Sequence, residues 1–338
     1  MISLKSKAAH TELGLTNETM IEMYKQILLS RRLDERMWLL NRAGKIPFVV
    51  SCQGQEVQQV AASMALNRKE DFVLPYYRDV GVVLSFGMTI KDLMLQAYAK
   101  GEDPNSGGRQ MPGHFGQKKN RIVSGSSPVT TQVPHAVGIA LAAKMEQKEI
   151  VSFVTLGEGS SNQGDFHEGC NFAAVHKLPV IFFVENNQYA ISVPLRKQVA
   201  CVNISDRAIG YGMKGITVDG NDPFQVYQAV KEARANALSG EGPTLIEAVS
   251  YRLTPHSSDD DDSSYREKTE VEEAKKKDGI SHYRNYLIEN SIWTEEEDAI
   301  LNEKIKNEIN EATEYAENAA YADASTMWKY VYSSKEEI

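Results

Sequence analysis

Short apolar runs alternate with segments of helical periodicity through the middle of the chain. Runs rich in β-branched and aromatic residues cover 150–156, 179–185, 215–218 and 243–249, and residues 162–176 carry apolar or small side chains at helical spacing. An apolar run without polar alternation suits a parallel strand that is buried on both faces. The alternation therefore predicts an α/β fold, a doubly wound, mostly parallel sheet flanked by helices.

Helical patterns also lie on both sides of this region. An apolar-periodic stretch follows Thr16 and Asn17, either of which can cap a helix. Towards the other end, sequence rich in Glu and Lys carries apolar residues at the spacing of amphipathic helices. We expect three segments: an N-terminal helical extension at 1–70, an α/β domain at 71–264, and a C-terminal helical region at 265–338 packed on the same domain.

Charge and hydropathy exclude some partners. The 338-residue chain has a formal net charge of −9, which does not suit binding to nucleic acid. It has no apolar run of about eighteen residues or more and no secretory signal pattern at its start, so we expect no membrane span and a cytoplasmic location. In the first helix, we expect the basic pair Arg31 and Arg32 to face a partner or solvent.

Oxygen-bearing side chains follow two of the apolar runs. Glu158, between two glycines, comes directly after the first run, and Asn187 follows the second. Because ligands of open α/β sheets bind outside the carboxyl ends of strands, these two side chains are expected to meet at one edge, where they suit a hydrated Mg²⁺ ion. The amides of Gly159 and Ser160 are placed to donate to a diphosphate. Taken singly, Gly-Glu-Gly and paired asparagines are also common in ordinary turns.

Four further segments carry a family resemblance. They are Leu-Pro-Tyr-Tyr-Arg-Asp at 74–79, Gly-Arg-Gln-Met-Pro-Gly-His-Phe-Gly at 108–116, Ser-Ser-Pro-Val-Thr-Thr-Gln at 126–132, and Tyr-Arg-Leu-Thr-Pro-His-Ser-Ser-Asp-Asp at 251–260. With the paired motif above, the chain resembles the alpha subunits of branched-chain 2-oxo acid dehydrogenases. The Gly-Arg-Gln-Met-Pro segment discriminates most, because the similar pyruvate dehydrogenase subunits typically differ there. Glu158 replaces the usual aspartate of the thiamin diphosphate motif, as in the branched-chain subfamily.

The resemblance implies thiamin diphosphate and Mg²⁺ as cofactors and a set of site residues. The implied Mg²⁺ ligands are Glu158, Asn187 and the backbone carbonyl of Tyr189, and His256 is the implied catalytic residue, assisting acyl transfer. An imidazole beside a diphosphate is expected to hold its proton more readily. The residues implied to bind thiamin diphosphate are Tyr77, Arg78, Ser127, Val129, Gly157, Glu158, Gly159, Ser160, Asn187 and His256.

Three details of this implied site are less direct. The resemblance implies a potassium site at Ser126, Pro128, Thr131 and Gln132, although these residue types also form ordinary turns and caps. Glu185 stands where some family members have an arginine near the phosphates, so it is expected either to turn away or to pair with a neighbouring cation. The polar tract 257–264 after His256 has the composition of a mobile loop.

The activity implied by the resemblance is oxidative decarboxylation of branched-chain 2-oxo acids with reductive acylation of a lipoyl group. No glutamate of this sequence is assigned to activate the cofactor, because the family takes it from a separate beta subunit. The implied partners are that beta subunit, in an alpha2-beta2 heterotetramer, and the lipoyl domain of the acyltransferase component. Two alternatives stay open: the alpha subunit of a pyruvate or acetoin dehydrogenase, and a non-catalytic nucleotide-binding or regulatory subunit.

Overall fold

The computed structural model describes residues 1–4, 8–329 and 331. The helices of these residues are α1 Ala9–Glu12, α2 Asn17–Arg42, α3 Glu56–Met64, α4 Val80–Ser85, α5 Ile90–Ala97, α6 Gln132–Met145, α7 Gly164–Val175, α8 Arg207–Tyr211, α9 Pro223–Leu238, α10 Lys268–Lys275, α11 Gly279–Glu289 and α12 Glu295–Asn318. The strands are β1 Phe72–Leu74, β2 Ser152–Gly157, β3 Val180–Asn186, β4 Tyr189–Ala190, β5 Val193–Pro194, β6 Lys214–Asp219 and β7 Thr244–Val249.

Five of these strands form one parallel sheet in the order β1-β2-β3-β7-β6. The chain runs outward from β1 to β3, skips to the far edge at β6, and returns through β7. This reversal of direction beside β3 is the arrangement that opens a crevice at the carboxyl ends of the strands. The predicted doubly wound α/β fold is confirmed, and β4 and β5 form a separate antiparallel hairpin.

The two faces of the sheet bury different helices. Phe153 and Phe183 point to a core formed with α2–α5, α9, α11 and α12, whereas Val154 and Phe182 point to a core formed with α6–α8. Successive residues of a strand face opposite sides, so strands buried on both faces must be apolar throughout. This is the physical reason why the sequence shows continuous apolar runs.

Polar residues fix where several helices begin. Thr16 accepts a hydrogen bond from the backbone N–H of Thr19 at 3.3 Å and caps α2, as predicted from the sequence. Asp222 caps α9, whose first residue is Pro223. Helices α11 and α12 pack against α2, so that the N-terminal and C-terminal helices share one layer. The division into three segments stays a prediction. Among the described residues, no helix combines the length and apolarity needed to cross a membrane.

The expectation for Arg31 is wrong. Its guanidinium lies inside the molecule, where it donates to Glu56 at 2.5 Å and to Asp278 at 2.8 Å, and it joins α2 to α3 and to the start of α11. Glu56 is 1% exposed, and burial raises its pKa, whereas the charge of Arg31 opposes that rise. Arg32 does lie at the surface and pairs with Glu35. Helical periodicity could not separate these neighbours, because their partners are distant in sequence.

Removal of the Arg31 guanidinium should destabilise the fold much more than removal of its neighbour. In Arg31→Ala, two carboxylates lose their cation in a buried place, and we expect a loss of about 3–5 kcal/mol in the free energy of unfolding. Arg32→Ala is the matched control, and a surface pair of this kind contributes about 0–1 kcal/mol. Urea unfolding of both variants measures the difference; equal losses would contradict a structural role for the buried pairs.

Candidate active site

The carboxyl ends of four neighbouring strands place polar side chains at one edge of the sheet. Gly157 of β2 is in register with Glu185 of β3, and Asn186 of β3 is in register with Val249 of β7. The loops that leave these strands are therefore close together. They carry Tyr77 and Arg78 after β1, Glu158 after β2, Asn187 after β3, and Arg252 and His256 after β7.

Glu158 and Asn187 form the acidic part of this site. Both are buried, and the backbone N–H of Asn187 donates to the Glu158 carboxylate at 3.3 Å. The amide of Gln198 donates to its other oxygen at 3.4 Å. Burial raises the pKa of Glu158, and among the described residues no cation forms an ion pair with it. A buried carboxylate beside an amide oxygen suits a hard divalent cation, so these residues fit Mg²⁺.

The carbonyl of Tyr189, the third expected metal ligand, lies on the strand that follows Asn187. It accepts a hydrogen bond from the guanidinium of Arg252 at 3.1 Å. A carbonyl oxygen has two lone pairs, so one remains for a metal ion. The guanidinium of Arg252 also lies over the tyrosine ring, 5.8 Å from its centroid, and the Tyr189 hydroxyl donates to Glu270 at 2.9 Å.

Two buried arginines of the site have no carboxylate partner among the described residues. Arg78 is 1% exposed and donates to the carbonyl of Ser51 at 2.6 Å and to the carbonyl of His256 at 2.9 Å. Arg252 is fully buried and donates to backbone carbonyls and to the hydroxyl of Tyr265. Burial and the nearby charge of Arg78 lower the pKa of Arg252. Buried charges are normally paired. Within the part of the chain described here, this site offers them no anion at ion-pairing distance, so its positive charge fits an anionic ligand.

The imidazole of His256 is held by one of these arginines. Its Nδ1 lies 3.0 Å from an Nη atom of Arg78. Because a guanidinium can only donate, Nδ1 must be the acceptor, so the neutral imidazole carries its proton on Nε2. Burial and the charges of Arg78 and Arg252 lower the pKa of His256 to about 4. In the chain alone, the ring of His256 is therefore harder to protonate than the sequence led us to expect, because it is buried beside two fixed cations.

The segment after His256 makes hydrogen bonds and buries side chains that its polar composition did not predict. Ser257 and Ser258 are buried, and Ser258 exchanges hydrogen bonds with the backbone of Val49. Asp260 accepts from the backbone N–H of His256 at 2.7 Å and also from the hydroxyl of Tyr265. The prediction of a mobile loop at 257–264 does not match these contacts. Composition missed the contact of Ser258 because its partner, Val49, lies on a distant loop.

In the part of the chain that the structure describes, Glu185 pairs with no cation. It is fully buried below the edge of the sheet, where it accepts from the amides of Gln58 at 3.2 Å and Gln59 at 2.9 Å, and its carboxylate lies 3.2 Å from the hydroxyl oxygen of Tyr76. Its neighbour Asp79 has a pKa raised by burial and by the charge of Glu185. Glu185 is thus turned away from the arginines, which was one of the two expectations for it.

The turn before α6 carries the residues expected at the other end of the cofactor and at the potassium site. Ser127 and Val129 are exposed, and the hydroxyl of Ser127 lies 2.6 Å from Nε2 of His114. Gln132 is buried; its amide donates to the carbonyl of Thr155 at 3.0 Å, and its Oε1 has no hydrogen-bond partner. A free buried oxygen is consistent with a cation site. The potassium site stays a prediction, with its residues in this turn and at the first position of α6: Ser126, Pro128, Thr131 and Gln132.

The Gly-Glu-Gly turn is tightly packed against the hairpin of β4 and β5. Residues Gly159–Asn162 form a single 3-10 turn after Glu158 instead of opening a longer helix, and α7 begins at Gly164. A Cβ atom on Gly159 would lie 2.4 Å from the Cβ of Ala190, so only glycine fits there. On Gly157, the nearest atom would be 3.8 Å away, in the ring of Tyr76. The close approach fixes the backbone of Gly159 and Ser160 directly after Glu158.

Sequence reasoning missed two glutamines of the site. Gln198 holds the carboxylate of Glu158, and Gln55 accepts a hydrogen bond from the Asn187 amide at 3.1 Å. Gln198 lies in irregular sequence that gives no periodic signal. Gln55 lies just before α3, and the only signal there is a polar sequence, Cys-Gln-Gly-Gln-Glu, directly after an apolar stretch.

Comparison with known proteins gives the family. The model of the dehydrogenase E1 component family matches residues 24–325, which is most of the chain. The chain belongs to the dehydrogenase E1 component family. This E1 chain is 69% identical to the 2-oxoisovalerate dehydrogenase subunit alpha of Bacillus subtilis (strain 168) over 324 residues, which cover 96% of this chain and 98% of the relative.

More distant relatives include two kinds of alpha subunit. The mitochondrial 2-oxoisovalerate dehydrogenase subunit alpha of Mus musculus is 40% identical over 94% of the E1 chain and 72% of its own length. The pyruvate dehydrogenase E1 component subunit alpha of Staphylococcus aureus (strain Mu50 / ATCC 700699) is 38% identical over 94% of the E1 chain and 83% of its own length. The resemblance read from the sequence motifs is confirmed.

A methyl group at Gly159 should disturb the site. In Gly159→Ala, the added carbon meets Ala190 at a distance that two carbon atoms cannot occupy, and we expect a loss of about 1–3 kcal/mol in the free energy of unfolding. Gly164→Ala is the control, since a Cβ there has no atom within 4 Å. It should be neutral or stabilise slightly, because α7 begins at Gly164 and alanine is the better helix former. Thermal unfolding of both variants decides; an equally stable Gly159→Ala would refute the tight contact.

Proposed function

We propose that the chain is the alpha subunit of a branched-chain 2-oxo acid dehydrogenase, which decarboxylates these acids with thiamin diphosphate and Mg²⁺. One observation carries the cofactor half of this proposal. Two buried guanidiniums, Arg78 and Arg252, have no carboxylate partner among residues 1–4, 8–329 and 331, and they share the edge at the strand ends with the buried pair Glu158 and Asn187. Such an arrangement accommodates a diphosphate and its metal ion together.

Each group of this chain then has a distinct part. Glu158, Asn187 and the carbonyl of Tyr189 would hold Mg²⁺, while Arg78, with Tyr77 beside it, and the backbone of Gly157, Gly159 and Ser160 would hold the diphosphate. Ser127 and Val129 would line the other end of the cofactor, and a potassium ion at the turn of 126–132 is part of the same proposal. When bound, thiamin diphosphate supplies the electron sink for decarboxylation.

His256 is the proposed catalytic residue. With Nδ1 accepting from Arg78, its Nε2–H group is the one free to donate. A pKa lowered to about 4 keeps the ring neutral near pH 7 in the chain alone. A bound diphosphate would act in the opposite direction, since negative charge favours the protonated form. While its orientation is fixed by Arg78, the neutral ring can therefore donate an Nε2–H hydrogen bond to a reacting group.

The proposal requires a beta subunit. In the proposed heterotetramer of two alpha and two beta chains, the beta chain supplies the glutamate that activates the cofactor, and the product acyl group passes to the lipoyl domain of the acyltransferase component. The cytoplasmic location expected from the sequence remains a prediction and is part of the same proposal.

The substrate class rests on the relative from Bacillus subtilis, whose name specifies 2-oxoisovalerate and whose sequence is 69% identical. The Staphylococcus aureus relative, named for pyruvate, is 38% identical and keeps pyruvate as the second candidate. Acetoin as a substrate has no such support here. A regulatory subunit without chemistry is disfavoured because Glu158, Asn187, Arg78 and His256 all meet at one edge.

Substrate preference should follow the branched-chain relative. We expect the chain, assembled with its beta subunit, to reduce an artificial electron acceptor with 3-methyl-2-oxobutanoate, in a reaction that depends on thiamin diphosphate and Mg²⁺. Pyruvate should give a lower kcat/KM in the same assay. Activity with pyruvate alone would overturn the substrate assignment, and no activity in an assembled complex that binds the cofactor would favour the regulatory alternative.

Replacement of His256 by Asn should separate cofactor binding from acyl transfer. An Asn oxygen can still accept from Arg78, but the Nε2–H group is lost, so transfer to a lipoyl acceptor should slow about 10²- to 10⁴-fold. Cofactor affinity and turnover with the artificial acceptor should change little. Asn187→Ala provides the contrast, because it should weaken the Mg²⁺-dependent binding of the cofactor. Equal loss of cofactor affinity in both variants would reduce His256 to a binding residue.

A further inference from the structure

A cluster of buried polar side chains lies directly behind the proposed metal ligand Asn187. Its members are Gln55, Tyr76, Glu185 and Asn187, and each of them is buried. Three loops and one strand contribute to it, so its members come from distant parts of the sequence. None of the roles assigned above to cofactor, metal or substrate involves Gln55.

Gln55 contacts Asn187 through one oxygen atom. Its Oε1 accepts from Nδ2 of Asn187 at 3.1 Å and from the hydroxyl of Tyr76 at 2.9 Å. These two bonds use both lone pairs of the oxygen. The Asn187 amide is held on its other side as well, because Oδ1 accepts from the backbone N–H of Tyr189 at 3.3 Å.

These contacts select one orientation of the Asn187 amide. If the amide turned over, its oxygen would face Oε1 of Gln55, and its nitrogen would face the N–H of Tyr189. Both arrangements bring like groups together, acceptor to acceptor and donor to donor. In the observed orientation, the oxygen is on the side of Tyr189, whose carbonyl is itself a proposed metal ligand, and the nitrogen points into the protein.

The backbone around Gln55 is also fixed. A Cβ on Gly54 would lie 2.1 Å from the carbonyl oxygen of Tyr251, so the loop presses on the segment after β7 at a position where only glycine fits. The backbone N–H of Gln55 donates to Cys52 at 2.9 Å, and its carbonyl accepts from Gln59 at 3.1 Å. The side chain of Gln55 therefore starts from an anchored position.

Of the two polar atoms in the Gln55 amide, the oxygen makes the side-chain hydrogen bonds that the structure describes. Nε2 is buried and finds no hydrogen-bond partner in the described part of the chain. A buried, unpaired donor costs free energy, which an apolar side chain of similar volume would avoid. Gln55 thus keeps a costly amide at a place where only its oxygen makes contacts.

We propose that Gln55 is a positioning residue for the metal site: its Oε1 holds the amide nitrogen of Asn187 and so presents the amide oxygen to the divalent cation. This inference rests on the proposed function, because it takes Asn187 as a metal ligand. It adds a residue that does not touch the metal itself. Such outer partners orient metal ligands, and their loss typically weakens metal affinity.

The test is metal affinity in the complex with the beta subunit, with thiamin diphosphate at saturation. Mn²⁺ is the probe, and electron paramagnetic resonance distinguishes free from bound ion. Gln55→Met keeps the side-chain volume but removes the acceptor, while Tyr76 can still donate to Glu185 at 3.2 Å. We expect Mn²⁺ to bind about 10- to 100-fold more weakly to this variant.

A neighbouring glutamine gives the matched control. Gln58 is fully buried on α3, donates to Glu185 at 3.2 Å and, like Gln55, has one unpaired amide atom. It makes no hydrogen bond to Asn187 among those of the described residues. Gln58→Met should therefore leave Mn²⁺ affinity close to that of the wild type. Gln55→Glu retains an acceptor oxygen for Asn187 and should restore affinity that the methionine variant loses.

The outcomes separate this inference from the proposed function. If Asn187→Ala binds Mn²⁺ as tightly as the wild type, the metal site itself is wrong. If Asn187→Ala loses affinity but Gln55→Met does not, or if Gln58→Met loses as much as Gln55→Met, the positioning role is wrong. Should Gln55→Met fail to assemble, Gln55→Ser, which is too short to reach Asn187, and Gln58→Ser replace the pair of methionine variants with the same expected contrast.

Discussion

Uncompensated positive charge at the carboxyl edge of a parallel sheet is the constraint on which the rest of this site depends. Arg78 and Arg252 are buried, yet they donate to carbonyls and a hydroxyl instead of to carboxylates. Elsewhere in the described chain, buried or half-buried arginines such as Arg31 and Arg234 pair with acids. This difference fits the proposal that Arg78 and Arg252 bind an anionic ligand, whereas Arg31 and Arg234 join elements of the fold. Burial and the charges of Arg78 and Arg252 also lower the pKa of His256, so the imidazole is neutral near pH 7 in the chain alone.

The fold was accessible to sequence reasoning because its signal is local. A strand buried on both faces needs an uninterrupted apolar run, and β2, β3, β6 and β7 each lie within about a residue or two of the run that predicted them. The three-residue strand β1 has no such signal, since its length is too short for any period to be read. The hairpin of β4 and β5 was missed for the same reason.

The site was only partly accessible. Glu158 and Asn187 could be placed together because the ends of adjacent parallel strands meet, and Arg78 and His256 were assigned through a family motif. The partners of these residues could not be read, because each contact joins positions that only the tertiary fold brings together. Arg31 with Glu56, Glu185 with Gln59, and Asn187 with Gln55 are examples. A polar residue has many acceptable neighbours, so its type alone does not reveal which one it meets.

Because the residues of the site come from distant parts of the sequence, the site is linked to the stability of the whole fold. Its groups come from the loops before α3 and after β1, β2, β3 and β7, so no partly folded chain can assemble them. An anion bound at this edge would reduce the repulsion between the two buried guanidiniums. Because the edge exists only in the native state, such binding would raise the stability of that state by mass action. Proteases in a cell act on the unfolded fraction. The supply of the vitamin-derived cofactor would therefore govern the lifetime of this subunit as well as its activity.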